Sequence, residues 1–164
     1  MNRISELFEN HHEALYRYLV RLAGDADIAA DAAQEAFVRL LERPPSAPVV
    51  RAWLFKVGTN CVLQGLRTSA RRHRLLVASG DRTMADPPSE PDAILEAEQR
   101  REAVVAALAR LNDKERIAVL MREEGFSHRE IADAVGTTTG SVGTLLARAL
   151  ERLARETTLN REVL

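Results

Sequence analysis

Residues 127–150 read SHREIADAVGTTTGSVGTLLARAL and contain the pattern of two helices joined by a sharp turn. Ser127 and Glu130 have the spacing of a capping box, in which each side chain bonds a backbone N–H at the start of a helix. The short helix that follows ends at Gly136, and residues 137–139 can begin a longer helix. A short helix, a glycine turn and a longer helix are typical of the helix-turn-helix, although a plain helical hairpin is the alternative.

The composition predicts an all-α protein. Of the 164 residues, 46% are hydrophobic but only 4% are aromatic, and Ala, Leu, Val, Arg and Glu dominate. Ala, Leu, Arg and Glu favour helices, and the chain is poor in the β-branched and aromatic residues that strands prefer. A single cysteine, Cys61, excludes an internal disulfide and cysteine-built zinc sites. We expect no metal, no cofactor, no signal peptide and no membrane insertion, and therefore a cytoplasmic location.

The charge distribution divides the chain. The net charge of −1 is the sum of +3 in residues 1–78, −5 in residues 79–98 and +1 in residues 99–164. Residues 79–92 are acidic and proline-rich and have no helical periodicity, which indicates a flexible linker. The sequence therefore predicts two small helical domains, a bundle in residues 1–78 (the first lobe) and a helix-turn-helix domain in residues 93–164 (the second lobe).

Apolar periodicity predicts three helices in the first lobe. The third begins near Val50, and its spacing places Trp53, Leu54, Val57 and Cys61 inward. In the second lobe a helix over residues 92–111 is expected to bury Val104 and Leu108. Residues 112–115 resemble a second capping box, which would begin the next helix.

Four arginines within eight residues follow at the end of the third helix: Arg67, Arg71, Arg72 and Arg74. Cations at a helix C-terminus interact favourably with the helix dipole, so the cluster is consistent with a solvated helix end. It is equally consistent with a patch that contacts phosphates.

Five motifs in order resemble those of extracytoplasmic-function (ECF) sigma factors, small two-domain members of the sigma-70 family. Residues 31–40 match D-x-x-Q-E-x-F-x-R-L, and residues 50–60 match R-A-W-L-[YF]-x-I-[AG]-x-N. Residues 111–116 resemble L-P-x-x-x-R, residues 124–132 resemble E-G-x-S-x-x-E-I-A, and residues 140–142 resemble G-T-V. The resemblance covers nearly the whole chain.

The resemblance implies a protein without catalytic activity that binds core RNA polymerase and directs it to promoters. Asp31, Gln34 and Glu35 match the segment that docks on the clamp of the polymerase large subunit, although an acidic helix face can also be merely solvated. The flap of the polymerase, promoter DNA and an anti-sigma factor are the other implied partners. The free chain is expected to be a monomer.

The resemblance also assigns two sets of DNA-binding residues. For the −10 element these are Ser46, Asn60, Arg67, Arg71, Arg72 and Arg74. For the −35 element these are Ser127, Arg129, Thr137, Thr138, Thr139, Ser141, Thr144 and Arg148. The second set departs from the family pattern, because Gly143 and Leu145 stand where relatives commonly carry Lys and Arg.

Two other functions remain open at this stage. A helix-turn-helix regulator controlled by a ligand or a partner would use the first lobe as a sensor rather than to bind polymerase. A protein that binds polymerase without reading DNA would have a still more depleted recognition helix.

Overall fold

The computed structural model describes residues 3–78 and 92–162, and every regular element within them is helical. The α-helices are α1 (Arg3–Ala23), α2 (Ala26–Glu42), α3 (Val50–Ala78), α4 (Asp92–Ala109), α5 (Asp113–Glu123), α6 (His128–Val135) and α7 (Thr139–Glu162). A short 3-10 turn, Ala47–Val49, precedes α3. The all-α prediction is confirmed. The predicted linker lies outside the described residues, apart from Asp92 at the start of α4.

In the first lobe, α1, α2 and α3 pack against one another. Gly24 ends α1 in the left-handed region at φ 65°, and the carboxylate of Asp25 then caps α2 by accepting from Ile28 N at 2.9 Å. Four buried alanines let α2 approach its neighbours closely: Ala29, Ala32, Ala33 and Ala36. None of the described helices is sufficiently long and apolar to span a membrane.

The buried face of α3 includes the predicted Leu54, but its centre is shifted from the predicted one. The fully buried residues are Leu54, Phe55, Gly58, Thr59 and Val62, whereas Trp53, Val57 and Cys61 are only half-buried. The reason is the close crossing of α1, where a Cβ on Gly58 would lie 3.2 Å from a methyl of Leu19. Glycine and threonine give no apolar signal, so the periodicity pointed to the adjacent face.

A buried hydrogen-bond chain links α1 to α3. Thr59 Oγ1 donates to the carbonyl of Phe55 at 2.7 Å, and Tyr18 Oη lies 2.7 Å from the same Thr59 oxygen. Because the single Thr59 proton goes to Phe55, Tyr18 must donate to Thr59. Burial raises the pKa of Tyr18 strongly, so the phenol keeps this proton.

In the second lobe both predicted capping boxes are confirmed. Asn112 and Glu115 form the box that begins α5, and Ser127 and Glu130 form the box that begins α6. Gly136 ends α6 in the left-handed region at φ 72°, which produces the turn before α7. Helix α4 is the exception to the predicted packing, because the side chain of Val104 is 56% exposed rather than inward.

The two lobes pack against each other, with α1 against α5 and α3 against α6. Gly125, at φ 85°, follows α5 and precedes Phe126, whose ring is buried 4.8 Å from the ring of Phe55. The ring of Phe55 in turn lies 4.9 Å from that of Tyr18. A row of three aromatic rings therefore runs from α1 through α3 into the second lobe.

The Tyr18–Thr59 pair predicts an asymmetric response to mutation. Thr59→Val leaves a buried phenol without an acceptor and should lower the free energy of unfolding by about 1–3 kcal/mol. Tyr18→Phe should cost less, since Thr59 still bonds the carbonyl of Phe55.

Urea denaturation of both single variants and the double variant measures this asymmetry. The double variant should be more stable than Thr59→Val alone, because it removes the unpaired hydroxyl. A double variant that is less stable than either single variant would contradict the assigned donor direction.

Candidate nucleic-acid and partner interfaces

An open groove of about 270 Å³ lies between α2 and α3. Its lining residues are Ile28, Asp31, Ala32, Glu35 and Arg39 from α2, with Cys61 and Gln64 from α3. Asp31 and Glu35 lie four residues apart, which places both carboxylates on the same face of α2. The structure therefore brings two of the three predicted polymerase-binding residues together, and the third, Gln34, is exposed outside the groove.

The charges in this groove are only partly neutralised. Arg39 Nε donates to Glu35 Oε1 at 2.7 Å, and both side chains remain nearly half exposed. No ion pair holds Asp31 among the residues that the structure describes. Burial raises the pKa of the Cys61 thiol, so it contributes a neutral surface to the groove. An unpaired carboxylate beside a paired one can bind a cationic side chain from a partner.

A polar stripe continues along α3 from the edge of the groove. Asn60, Arg67, Arg71 and Arg74 are exposed and separated by seven, four and three residues, so they share one helix face. Arg72 is also exposed but lies one residue away from this stripe. Ser46 lies apart from them, in the turn before α3, where its carbonyl accepts from Val49 N at 3.1 Å.

The start of α7 carries most of the residues predicted for the −35 element. The hydroxyls of Thr138 and Ser141 lie 2.7 Å apart, while Ser141, Thr144 and Arg148 recur on one exposed face of α7. Thr139 is exposed at the first position of the helix, and Thr137 is half-buried.

The remaining two residues of this set belong to α6 and its cap. Arg129 is exposed on α6. The Ser127 hydroxyl is already used as a cap, because it accepts from Glu130 N at 3.2 Å.

Arg148 is free to bind a ligand. Glu151 pairs with Arg155 at 3.6 Å, and Glu156 pairs with Arg110 at 3.5 Å. Within the described part of the chain, Arg148 itself has no ion pair or hydrogen bond. Neither glutamate therefore forms an ion pair with the exposed Arg148.

Sequence reasoning missed the residues that join the lobes. Arg51 contacts Glu124 and Phe126, and Lys56 contacts Asp133. Arg51 lies in a quoted motif, but nothing in the sequence indicates a partner 73 residues away. The only signal was that both Arg51 and residues 124–126 fall within family motifs.

Comparison with known proteins finds two family matches in separate parts of the chain. Residues 7–72 match the family description sigma-70 region 2, and residues 101–153 match sigma-70 region 4. The chain is 35% identical to the ECF RNA polymerase sigma factor SigL of Mycobacterium tuberculosis, over 90% of this chain and 84% of the relative. The chain belongs to the ECF sigma factors. It is also 24% identical to the RNA polymerase sigma factor YlaC of Bacillus subtilis, over 97% of this chain and 94% of that one.

Two solved structures have the same fold as this sigma factor. The sigma factor RpoE of Bartonella quintana, solved with the anti-sigma factor NepR, superposes with a TM-score of 0.70 at 20% identity over 94% of this chain and 96% of that one. CnrH, solved with the cytosolic domain of CnrY, superposes with a TM-score of 0.69 at 20% identity, over 95% of this chain and 88% of that one.

The family establishes the general role of the chain. It is a transcription initiation factor that directs RNA polymerase to promoters. The alternative of a ligand-controlled helix-turn-helix regulator is not favoured, because the first lobe matches a sigma region rather than a sensor domain.

Proposed function

We propose that this sigma factor divides promoter recognition between its lobes. Residues 1–78 bind core polymerase and the −10 element, residues 93–164 read the −35 element, and residues 79–92 link them. The observation that carries this proposal is the separation of two exposed polar surfaces, the Asn60–Arg74 stripe on α3 and the face of α7 that bears Arg148. Catalysis is left to the polymerase, and the chain acts in the cytoplasm with it.

Polymerase docking uses the acidic groove. The free carboxylate of Asp31 accepts a basic side chain from the large-subunit clamp, while Glu35 stays oriented by its bond to Arg39. Gln34, exposed on the adjacent side of α2, extends the contact. The second lobe contacts the flap of the polymerase.

The stripe on α3 binds the −10 region. Arg67, Arg71 and Arg74 neutralise phosphates along one helix face, and Arg72 flanks them. Asn60 offers both a donor and an acceptor to a base edge. Ser46, in the turn before α3, lies in the segment that captures an unstacked base. A site for the unstacked base lowers the cost of opening the duplex, which is a few kcal/mol.

The −35 element is read by α7, although the exposed face of this helix carries few charged residues. Ser141, Thr144 and Arg148 face the major groove, and Thr137, Thr138 and Thr139 lie at the helix start. The N-terminus of α7 supplies backbone N–H groups for a phosphate. Ser127 and Arg129 approach the backbone from α6. Among the α7 residues of this set, Arg148 alone has the bidentate geometry that guanine recognition requires.

The solved neighbours also suggest a regulatory partner. RpoE of Bartonella quintana is bound by the anti-sigma factor NepR, and CnrH by the cytosolic domain of CnrY. We extend this class of partner to the present chain, which is a monomer when it is free.

Charge reversal in the groove should weaken polymerase binding. Asp31→Lys combined with Glu35→Lys replaces two acceptors with cations, so co-purification with core polymerase should fall at least tenfold. The circular dichroism melt should change little, because both residues are exposed.

Glu9→Lys is the control for this experiment, since it makes the same kind of change on an exposed position of α1. It should bind core polymerase like the wild type. Equal binding by the groove variant and this control would refute the assignment of the groove.

Arg148 should contribute to promoter discrimination. Arg148→Ala should weaken holoenzyme binding at the −35 element by about 1–3 kcal/mol if the guanidinium reads a guanine. Footprinting on matched promoters, with and without that guanine, measures the loss.

Arg155→Ala is the matched control, because Arg155 is exposed on the same helix but pairs with Glu151. Its footprint should match the wild type. Equal protection by the Arg148 and Arg155 variants would exclude a base-reading role for Arg148.

A further inference from the structure

The helix that bears Arg148 is joined to the start of α5 by an ion pair with one buried member. Arg152 Nη1, on α7, lies 3.5 Å from Glu115 Oε2, and the Glu115 side chain is only 3% exposed. The same oxygen accepts from Asn112 N at 3.1 Å, as part of the capping box that begins α5. Because the capping box orients this carboxylate, α7 is paired with a group that the backbone of α5 holds in place.

A second ion pair, of opposite polarity, lies one turn further along α7. Glu156 Oε2 lies 3.5 Å from Nε of Arg110, in the turn between α4 and α5. We call the residues Arg110, Glu115, Arg152 and Glu156 the α7 anchor. A shift of α7 by one turn in either direction would bring two carboxylates or two guanidinium groups together, and like charges repel. The α7 anchor therefore opposes movement of α7 along its axis.

The α7 anchor also opposes rotation of α7 about its axis. Successive helical residues are about 100° apart, so Arg152 lies about 40° from Arg148 and about 60° from the buried Ala149. Arg152 is thus on the flank of α7, between its buried face and the face proposed to read DNA. A rotation of about 20° moves a side-chain end at about 6 Å from the axis by about 2 Å. Hydrogen-bond distances vary by only about 0.5 Å, so such a rotation would break a contact to a base.

Burial distinguishes the Glu115 pair from an exposed pair on the same helix. Arg155 and Glu151 are 73% and 72% exposed, and water screens a pair of this kind, which therefore contributes little. A buried carboxylate without a cation is costly, so Glu115 keeps Arg152 beside it. Because its side chain is buried, Glu115 does not reach DNA and acts on recognition only through α7.

We propose that Glu115 and Arg152 are positioning residues for the −35 element, which hold Arg148 at the rotation and height that guanine recognition requires. The inference rests on the proposed reading of this element by α7. A bidentate contact needs two aligned hydrogen bonds, whereas a flexible cation can follow a phosphate when the helix turns. Loss of the Glu115–Arg152 pair should therefore lower discrimination between bases more than overall affinity for DNA.

Holoenzyme binding to two promoter duplexes tests the proposal. The duplexes differ only in one −35 guanine, chosen because Arg148→Ala makes binding insensitive to its replacement, and the ratio of the two affinities measures discrimination. Glu115→Gln removes the charge, while the new amide oxygen still accepts from Asn112 N. This variant should lower the ratio at least threefold and leave co-purification with core polymerase unchanged. Each variant is measured well below its melting temperature, so that all chains are folded.

Variants of the arginine provide the second arm and the controls. Arg152→Met removes the same pair from the other side and should lower the ratio as much as Glu115→Gln. Arg152→Lys keeps a cation beside Glu115 and should retain more than half of the ratio. Arg155→Met is the matched control, because it removes an arginine from an exposed pair of the same helix, and it should match the wild type.

Two further measurements separate positioning from direct contact. In a chain that already carries Arg148→Ala, Glu115→Gln should not lower affinity for the matched duplex any further, since it acts through Arg148. Arg152→Met should leave the salt dependence of binding unchanged. A phosphate contact by Arg152 would instead reduce the log–log salt slope by about one.

An unchanged ratio in the Glu115→Gln and Arg152→Met chains would overturn the inference and leave the proposed function intact. A further loss in the Arg148→Ala chain, or a reduced salt slope, would overturn it as well. If a single variant does not fold, the double variant of Glu115→Gln and Arg152→Met replaces it, because it leaves no buried charge unpaired. A wild-type chain that does not distinguish any such pair of duplexes would refute the proposed role of Arg148, and the inference with it.

Discussion

A guanidinium packed against two neighbouring phenyl rings joins the halves of this sigma factor. Arg51 supplies the cation, Phe55 one ring from its own lobe and Phe126 the other ring from the second lobe. A cation–π contact contributes about 0.5–1 kcal/mol when exposed and about 2 kcal/mol when desolvated, and the Arg51 side chain is 40% exposed. The partly exposed contact therefore contributes a free energy between these two figures.

The position of Phe126 depends on local geometry that the sequence does reveal. Gly125 takes a left-handed conformation after α5, and the Ser127–Glu130 capping box begins α6 immediately afterwards. These two features fix the backbone on either side of Phe126 and direct its ring away from solvent. The motif that begins the helix-turn-helix therefore also builds the contact between the lobes.

Features set by neighbours in sequence were predictable. Both capping boxes, the glycine turn at Gly136 and the start of α3 at Val50 rest on interactions within a few residues, and all of them are confirmed. The buried face of α3 was predicted only in part: Leu54 is buried as expected and Trp53, Val57 and Cys61 pack at the edge of the core, but the centre of the face depends on how α1 crosses at Gly58. The position of Val104 on α4 likewise depends on packing that periodicity does not report.

The candidate sites, too, were predictable where they depend on residues close in sequence and unpredictable where they depend on packing between helices. Asp31 and Glu35 were placed on one helix face by their spacing alone, but the second wall of the groove, Cys61 and Gln64, comes from α3. Only the structure shows that Arg148 is unpaired, because it places Glu151 against Arg155 and Glu156 against Arg110. A helix with so little charge gains less affinity from phosphates, which makes attachment to polymerase more important.

In vitro transcription with purified core polymerase and a randomised promoter library, with and without this chain, shows whether one chain reads two promoter elements through two lobes. We expect chain-dependent transcripts whose templates share two sequence elements at a fixed spacing, near −10 and −35. Transcripts that do not depend on the chain, or templates enriched for a single element, would refute recognition by two lobes.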